Sequence, residues 1–194
     1  MRHRQEILDA SCVVFSEKGY RNTTIADISK RSEFSIASIY KHFESKEDIY
    51  HSLIEDYLEM YHSELEAVAR NISSPLEQLR ACITRTYDLL VEHRVFMEFF
   101  VGEWRPAADL ETDELARKSM DAYSKLVMFM AERFERAAKL GEVVDDINPI
   151  YLAIGLLGQL FIFGSYWIYF EHVSLAEAPK ELIPRIFFDR IALK

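Results

Sequence analysis

The residues whose types and spacing best suit a chemical task lie between positions 35 and 46. Their side chains are small at the start of the run and hydrogen-bonding or basic towards its end: Ser35, Ile36, Ala37, Ser38, Tyr40, Lys41, His42 and Lys46. Small side chains let a helix enter the major groove of DNA, where its first residues reach base edges. Tyrosine, lysine and histidine suit contacts to phosphates, which fix the register of a protein on the duplex. The pattern therefore favours a DNA-contacting segment.

Two short helices and a turn are needed to hold these side chains in place. Thr24 and Asp27 form a capping box, with Asp in place of the usual Glu, so the first helix of the pair is predicted to open there. The second is predicted over residues 35–42, with Ser35 as its N-cap and Ile39 turned inward. Helices of these lengths, joined by a tight turn, are typical of a helix-turn-helix.

Two residues at helix starts are further candidate phosphate contacts. Thr24 begins the first helix of the pair, and Lys46 lies on the first turn of the long helix that follows. Free backbone N–H groups and the helix dipole favour an anion at both places. A three-helix packing unit without any DNA-binding role would show the same apolar spacing, so the pattern alone leaves that alternative open.

The rest of the chain predicts an all-α fold. No stretch alternates between apolar and polar residues over a useful strand length, and apolar residues recur with the helical period of about 3.6 residues. Further helices are predicted over residues 4–18, 46–70, 94–104, 111–140, 149–171 and 179–193. Pro75 follows two serines and opens another helix. Gly19 and Gly141 supply left-handed residues that end helices.

Residues 4–56 resemble the DNA-binding domain of the TetR (tetracycline-repressor-like) family. The resemblance is carried by five correctly spaced segments: Arg4-Gln-Glu-Ile-Leu-Asp-Ala, Phe15-Ser-Glu-Lys-Gly-Tyr, Thr23-Thr-Ile-Ala-Asp-Ile, Ser38-Ile-Tyr-Lys-His-Phe and Ser45-Lys-Glu-Asp-Ile. It implies base contacts at the start of the second helix of the pair, at Ser35, Ile36, Ala37 and Ser38. It also implies phosphate contacts at Thr24, Tyr40, His42 and Lys46.

Two positions depart from the family pattern. Glu33 lies in the turn, and Ala37 lies two residues into the second helix, where the family usually has glycine. Because glycine in such a turn commonly supplies a positive φ, Glu33 is expected at a position with a left-handed backbone. It also brings a carboxylate near DNA, so the preferred base sequence is not predicted.

The resemblance implies a DNA-binding domain over residues 1–46 and a ligand-binding and dimerisation domain over residues 47–194. It further implies a homodimer that represses transcription from a palindromic operator in double-stranded DNA until a small effector releases it. The effector is expected to be hydrophobic, because the candidate lining carries no charge. That lining is aromatic and apolar: Phe96, Phe100, Trp104, Tyr123, Val127, Met130, Phe163 and Trp167.

The last two long helices are expected to pair two subunits. Residues 150–170 carry no charge and are long enough to span a bilayer, but acidic residues flank them, and Gln159 and Ser165 interrupt them. A buried helix of a soluble protein is therefore the favoured interpretation, and no membrane partner is expected. Candidate interface residues are small residues that permit close helix approach and large apolar ones on the last helix: Gly155, Gly158, Ile183 and Phe187.

Taken over the whole chain, the net charge of −9 argues against a nucleic-acid binder, because DNA-binding domains are usually basic. The acidity is uneven, however. Residues 1–46 hold eight basic and six acidic residues, whereas residues 47–194 hold 15 basic and 26 acidic ones. We therefore expect low non-specific affinity and binding that depends on a few well-placed contacts.

Other kinds of chemistry have little support in the sequence. A Ser-His-Asp order, a glycine-rich phosphate loop and a close acid pair are all missing, so no enzyme activity, cofactor or metal site is expected. Cys12 and Cys82 lie in apolar helical patterns and indicate buried thiols in a reducing, cytoplasmic compartment. The alternatives are a helical dimeric ligand-binding protein or an enzyme, in either case without DNA binding.

Overall fold

The computed structural model describes residues 2–103, 114–170, 182–189 and 191–192 of the chain. These residues form α1 (Arg2–Lys18), α2 (Ile25–Ser32), α3 (Ile36–Ile39), α4 (Lys46–Ala69), α5 (Pro75–Glu92), α6 (Arg94–Glu103), α7 (Glu114–Lys139), α8 (Pro149–Phe170) and α9 (Leu182–Phe188). Extended pairing among the described residues is limited to one isolated bridge between Val143 and Ala192. The all-α prediction is confirmed.

Most helix boundaries follow the capping chemistry of the sequence. The starts of α4 and α5, at Lys46 and Pro75, are those predicted. Gly19 and Gly141 have φ angles of 76° and 69°, which lets the chain leave a helix without the clash that a Cβ would cause. The predicted end of α9 at residue 193 is wrong, because the chain after Phe188 turns to form the backbone bridge with Val143.

Helix α3 is also shorter than predicted. α-Helical bonding covers Ile36–Ile39 rather than residues 35–42. The N–H groups of Lys41 and His42 donate to carbonyls three residues earlier, at 3.3 and 2.9 Å, so the chain tightens after the helix into geometry of the 3₁₀ type.

The N-terminal head, which we define as residues 2–46, is held together by a small apolar core. Ile7, Phe15, Ile28 and Ile39 come from α1, α2 and α3, and each is at most 1% exposed. Fully burying a side chain of this kind contributes about 1.5–3 kcal/mol. The inward orientation predicted for Ile39 is confirmed, and it leaves the opposite side of α3 facing solvent.

The chain divides into two compact units. One comprises residues 1–59 and 93–119, and the other comprises residues 60–92 and 120–194. The division by compactness passes through α4, whereas the functional boundary predicted from the sequence lies at the start of that helix. Helix α6 belongs to the same unit as the head and packs against α1.

Helix α8 is apolar on all sides but is buried on only part of them. By length and composition its 149–166 window could cross a membrane, and 33% of that window is buried. Gly164 faces inward, where a Cβ would lie 3.1 Å from Leu90 Cδ1 on α5. On the other side, Tyr151 and Ile162 are 70% and 64% exposed. Among the residues that the structure describes, one apolar side of α8 is therefore exposed.

Candidate DNA-binding site

The outward side of α3 and the following turn present the predicted contact residues to solvent. Ile36 and Tyr40 are 44% and 52% exposed, although both side chains are large and largely apolar. The other exposed members are Ser35, Ala37, Lys41 and His42. Ser38 is half-buried. Tyr40 is thus a surface residue rather than part of the core, and these side chains are available to a partner.

Both helices of the pair begin at a side-chain cap. Ser35 Oγ accepts a hydrogen bond from the Ser38 N–H at 3.1 Å. Thr24 Oγ1 accepts from the Asp27 N–H at 3.2 Å, and Asp27 Oδ2 accepts from the Thr24 N–H at 3.0 Å, which confirms the predicted capping box. Lys18 Nζ lies 2.5 Å from Asp27 Oδ1. The hydrogen bond from Lys18, assisted by those from Thr24, holds the pKa of the Asp27 carboxyl well below its usual range.

Glu33 ends α2 in a left-handed conformation, with φ 61° and ψ 11°. This confirms the expectation drawn from its place in the turn. A side chain in that region costs roughly 1–2 kcal/mol, because Cβ approaches the following carbonyl oxygen. Glu33 is exposed and lies two residues before the N-cap Ser35. The turn before α3 therefore contains a strained backbone position and an exposed carboxylate, both at Glu33.

The Lys46 side chain is half-buried, and its ammonium group contacts the backbone of its own chain. Its Nζ donates to the carbonyl oxygens of Tyr20 and Thr23, at 2.7 and 2.8 Å. Sequence reasoning placed Lys46 correctly on the first turn of α4, but these partners lie 26 and 23 residues away. No local pattern indicates such contacts.

Two basic residues at the start of α1 were missed by the sequence analysis. The His3 ring lies 5.2 Å from the Phe34 ring, immediately before the cap of α3. Arg4 Nη1 lies 2.6 Å from Asp56 Oδ2 on α4, and its guanidinium lies over the Phe43 ring. The available signal was the basic start of an otherwise acidic chain. Arg4 ties α1 to α4, and His3 contacts the turn that precedes α3.

Residues 7–53 match the sequence model of the family described as bacterial regulatory proteins, tetR family. This segment of the chain is therefore similar to the tetR family. The match covers α1 from Ile7 onwards, all of α2 and α3, and the first part of α4, which are the elements that position the exposed residues described above.

Relatives and solved structures extend the comparison. The HTH-type transcriptional repressor KstR2 of Mycolicibacterium smegmatis is 29% identical over 91 residues, which cover 47% of this chain and 44% of that protein. The chain thus spans about half the length of the first curated relatives it matches.

Two solved structures are similar to this chain over nearly all of its length. The transcriptional regulator FadR from Bacillus subtilis, in complex with stearoyl-CoA, has a TM-score of 0.85 at 18% identity, covering 95% of this chain and 97% of that one. AibR, in complex with isovaleryl coenzyme A and operator DNA, has a TM-score of 0.74 at 21% identity, covering 96% and 98%. At such identities the likeness shows a shared fold.

Two of the predicted lining residues lie in the same compact unit as the head. Phe96 and Phe100 are on α6, with ring centroids 5.8 Å apart. Phe96 also stacks on Tyr57 of α4, with centroids 3.7 Å apart, and is 6% exposed. These contacts make Phe96 part of an aromatic core, and its contact with an effector stays a prediction.

Four further lining residues belong to the second compact unit: Tyr123, Val127, Met130 and Phe163. Val127 and Met130 are 7% and 0% exposed, whereas Tyr123 and Phe163 are half-buried. Trp104 lies outside the described residues, as does the side chain of Trp167. Their shared role as a pocket lining stays a prediction.

Arg133 lies one helical turn beyond Met130 on α7. It was not among the residues predicted from the sequence to lie near the pocket lining. Its guanidinium carbon lies 3.4 Å from the centre of the Phe129 ring, and Nη1 donates to the Phe129 carbonyl at 2.7 Å. Partial burial lowers the pKa of this guanidinium. The uncharged lining residues predicted on α7 therefore end before Arg133, which carries a charge.

The predicted interface residues differ in their accessibility. Gly155 is exposed, and a Cβ at the half-buried Gly158 would meet nothing within 4 Å. Phe187 is half-buried, with Cε2 placed 3.5 Å from where a Gly155 Cβ would lie. Ile183 is 0% exposed. Its predicted place in an interface is corrected, because its side chain is covered by its own chain, whereas Ile186 is 48% exposed.

Proposed function

We propose that this chain is a ligand-responsive repressor of the tetR family that binds a palindromic operator as a homodimer in the cytoplasm. The observation that carries the proposal is the exposed side of α3, which presents small, hydroxyl-bearing and basic side chains within the segment that matches the family model. Two comparisons support it. KstR2 is named a transcriptional repressor, and the AibR structure contains operator DNA.

In this proposal α3 enters the major groove. Ser35 and Ser38 carry hydroxyl groups that can bond to base edges, and the exposed Ile36 and Ala37 suit contact with thymine methyl groups. The phosphate contacts come from the exposed residues that follow and from the start of α2: Thr24, Tyr40, Lys41 and His42.

The uncovered side of α8 is the proposed dimer interface. Its exposed large side chains, together with one from α9, are Tyr151, Ile154, Ile162, Tyr166 and Ile186. Positions 151, 155, 158, 162 and 166 follow the helical repeat, so the exposed apolar residues flank the two small glycines on one side of the helix. A large exposed apolar patch of this kind marks an interaction surface.

A second copy is the occupant we favour for this surface, because a two-fold dimer lets one patch cover itself. To meet two half-sites, the recognition helices of such a dimer must lie about 34–36 Å apart, one turn of B-DNA, or a multiple of that distance. This spacing matches a palindromic operator.

The effector is proposed to be a small amphipathic molecule with an apolar chain or ring. The stearoyl-CoA of FadR and the isovaleryl coenzyme A of AibR support an acyl group as the apolar part. The effector must bind the DNA-incompetent conformation more tightly, and by linkage DNA must weaken effector binding by the same factor.

A mobility-shift experiment with DNA flanking the protein's own gene tests the proposal. We expect the wild type to shift a short palindrome, and Ala37→Glu to lose at least about a hundredfold in affinity, because it places a carboxylate on the exposed side of α3. Ala67→Glu, at an exposed alanine of α4, is the matched control and should bind like the wild type. Failure of the wild type to bind any such palindrome at low salt would oppose the proposal.

A further inference from the structure

Lys46 has three contacts that together fix the position of its ammonium group. Nζ lies 2.7 Å from the Tyr20 carbonyl oxygen and 2.8 Å from that of Thr23. It also lies 4.4 Å from the centre of the Tyr20 ring. The side chain is half-buried. The start of α4 is thereby tied to the turn that connects α1 to α2.

The turn held by Lys46 lies directly before the start of α2. Thr23 directly precedes Thr24, the N-cap of α2, and Thr23 is itself 1% exposed. The Thr23 N–H donates to the Tyr20 carbonyl at 3.3 Å, so Lys46 and the turn share that acceptor. Hydrogen bonds from an ammonium group are stronger than those between neutral groups. Loss of this group would leave two part-buried carbonyls without their charged donor.

The same turn is anchored on its other side by aromatic contacts. The Tyr20 ring lies 5.6 Å from the Phe15 ring of α1 and 4.7 Å from the Tyr50 ring of α4. Tyr50 lies four residues after Lys46 on α4. The α1–α2 turn is therefore contacted by both a cation and an aromatic ring from the first part of α4. Contacts from α1 and α4 therefore converge on residues 20–23.

We infer that Lys46 is a positioning residue, whose ammonium group clamps the α1–α2 turn onto α4 and so orients the helix pair that meets DNA. This replaces the phosphate contact expected from the sequence as the main role of Lys46. The inference rests on the proposed function only where it concerns DNA affinity, since the clamp itself is present in the protein without DNA. Phosphate contact is left to the exposed Thr24, Tyr40, Lys41 and His42.

Hydrogen exchange of the DNA-free protein tests the clamp directly. In Lys46→Met, amides of residues 23–28 are expected to exchange at least about tenfold faster than in the wild type, because the turn has lost two charge-assisted hydrogen bonds. Lys41→Met, at an exposed lysine on the same head, is the matched control and should leave that exchange unchanged. Wild-type exchange in Lys46→Met would overturn the inference.

A milder variant keeps the test decisive if Lys46→Met does not fold. Lys46→Gln has a shorter side chain and a neutral donor in place of the ammonium group, so it should also speed exchange of residues 23–28. A folded Lys46→Gln protein with wild-type exchange in this segment would equally overturn the clamp.

The salt dependence of operator binding separates positioning from phosphate contact. Removing a phosphate contact reduces the slope of log K against log salt by about 0.9 per contact. We expect Lys46→Met to weaken binding about tenfold with the wild-type slope, and Lys41→Met to reduce the slope. A reduced slope in Lys46→Met, together with unchanged hydrogen exchange, would restore the phosphate role. If the wild type binds no operator, the proposed function fails while the exchange experiment still judges the clamp.

Discussion

The exposed sides of α3 and α8 differ in what they offer a partner. The side of α3 combines small residues, hydroxyls and cations within a few positions, whereas the exposed large residues of α8 are isoleucines and tyrosines over four helical turns. The first suits a polar, anionic groove, and the second suits an apolar surface. A contiguous patch of exposed apolar or hydrogen-bonding side chains indicates an interface, and the chemistry of those side chains indicates the kind of partner.

The part of the chain that contains α3 and the part that contains α8 also differ in net charge. The segment 1–46 has a small excess of basic residues, with eight against six acidic ones, whereas residues 47–194 have 15 basic against 26 acidic ones. Acidic side chains repel the negatively charged phosphate backbone, so residues 47–194 disfavour non-specific DNA binding. Specific binding must then depend on the few contacts that α3 and its neighbours supply.

The largest expected effect comes from placing a charge on the exposed side of α8. Ile162→Glu should raise the dimer dissociation constant at least about a hundredfold, because a carboxylate would be buried against the partner without a counter-charge. Sedimentation velocity measures the shift from dimer to monomer, and operator affinity should fall with it.

The matched control is Met128→Glu, which changes another exposed apolar residue, on α7. It should leave the dimer intact. A dimer that survives Ile162→Glu would show that this side of α8 has another partner, and binding of the wild type to lipid vesicles would then identify that partner as a membrane.

The next effect concerns two neighbouring residues after α3. Tyr40→Phe should weaken operator binding by about tenfold per subunit, because it removes one hydrogen bond to a charged phosphate. Its salt slope should stay near that of the wild type, since the phenol neutralises no phosphate charge. Lys41→Gln should instead reduce the slope by about 0.9 per subunit. Binding isotherms at several salt concentrations check both, and equal slopes in the two variants would contradict the assignment.

The sequence predicted the local features of the head well, because they depend on neighbouring residues. The Thr24 and Ser35 caps and the positive φ of Glu33 follow from side-chain chemistry within a few positions. Long-range contacts could not be predicted in the same way. The direction of the Lys46 ammonium depends on carbonyls 23 and 26 residues away.

The residues of α9 show a different limit. An apolar strip indicates that a helix side is buried, but it does not say whether its own chain or a partner covers it. Ile183 was therefore assigned to the interface, although its own chain covers it completely, whereas Ile186 is 48% exposed. The same ambiguity applies to Phe96. An apolar residue at this position of the helical repeat is expected both in an aromatic core, where Phe96 lies, and in a pocket lining, so the sequence does not distinguish the two.

A smaller effect is expected at the strained turn before α3. Glu33→Gly should raise the free energy of unfolding by about 1 kcal/mol, because glycine adopts the left-handed conformation without the Cβ clash. It should also tighten operator binding by removing a carboxylate near the phosphates. Glu33→Gln keeps the strain and removes only the charge, so it should tighten binding without the gain in stability. Denaturant unfolding and operator titration of both variants separate the two terms, and a Gly variant less stable than the wild type would contradict the strain.

The smallest effect concerns the ion pair that supports the cap of α2. Because Lys18 and Thr24 hold the pKa of Asp27 below its usual range, the ionised carboxyl stabilises the folded state at neutral pH. This contribution is present above the pKa of an unfolded aspartate, about 3.9, and is lost as the pH falls through the lower folded value. Asp27→Asn should therefore have a lower Tm than the wild type at pH 7, and the gap should narrow below about pH 4.

Lys18→Met provides the matched variant for this pair, since it removes the main cause of the lowered pKa. The double variant Lys18→Met with Asp27→Asn should lose less stability than the two single variants added together, because both remove one shared interaction. Strict additivity at pH 7 would mean that the 2.5 Å contact between Lys18 and Asp27 contributes nothing to the head. In that case Thr24 alone would account for the cap, and the Tm gap between wild type and Asp27→Asn would be the same with or without Lys18.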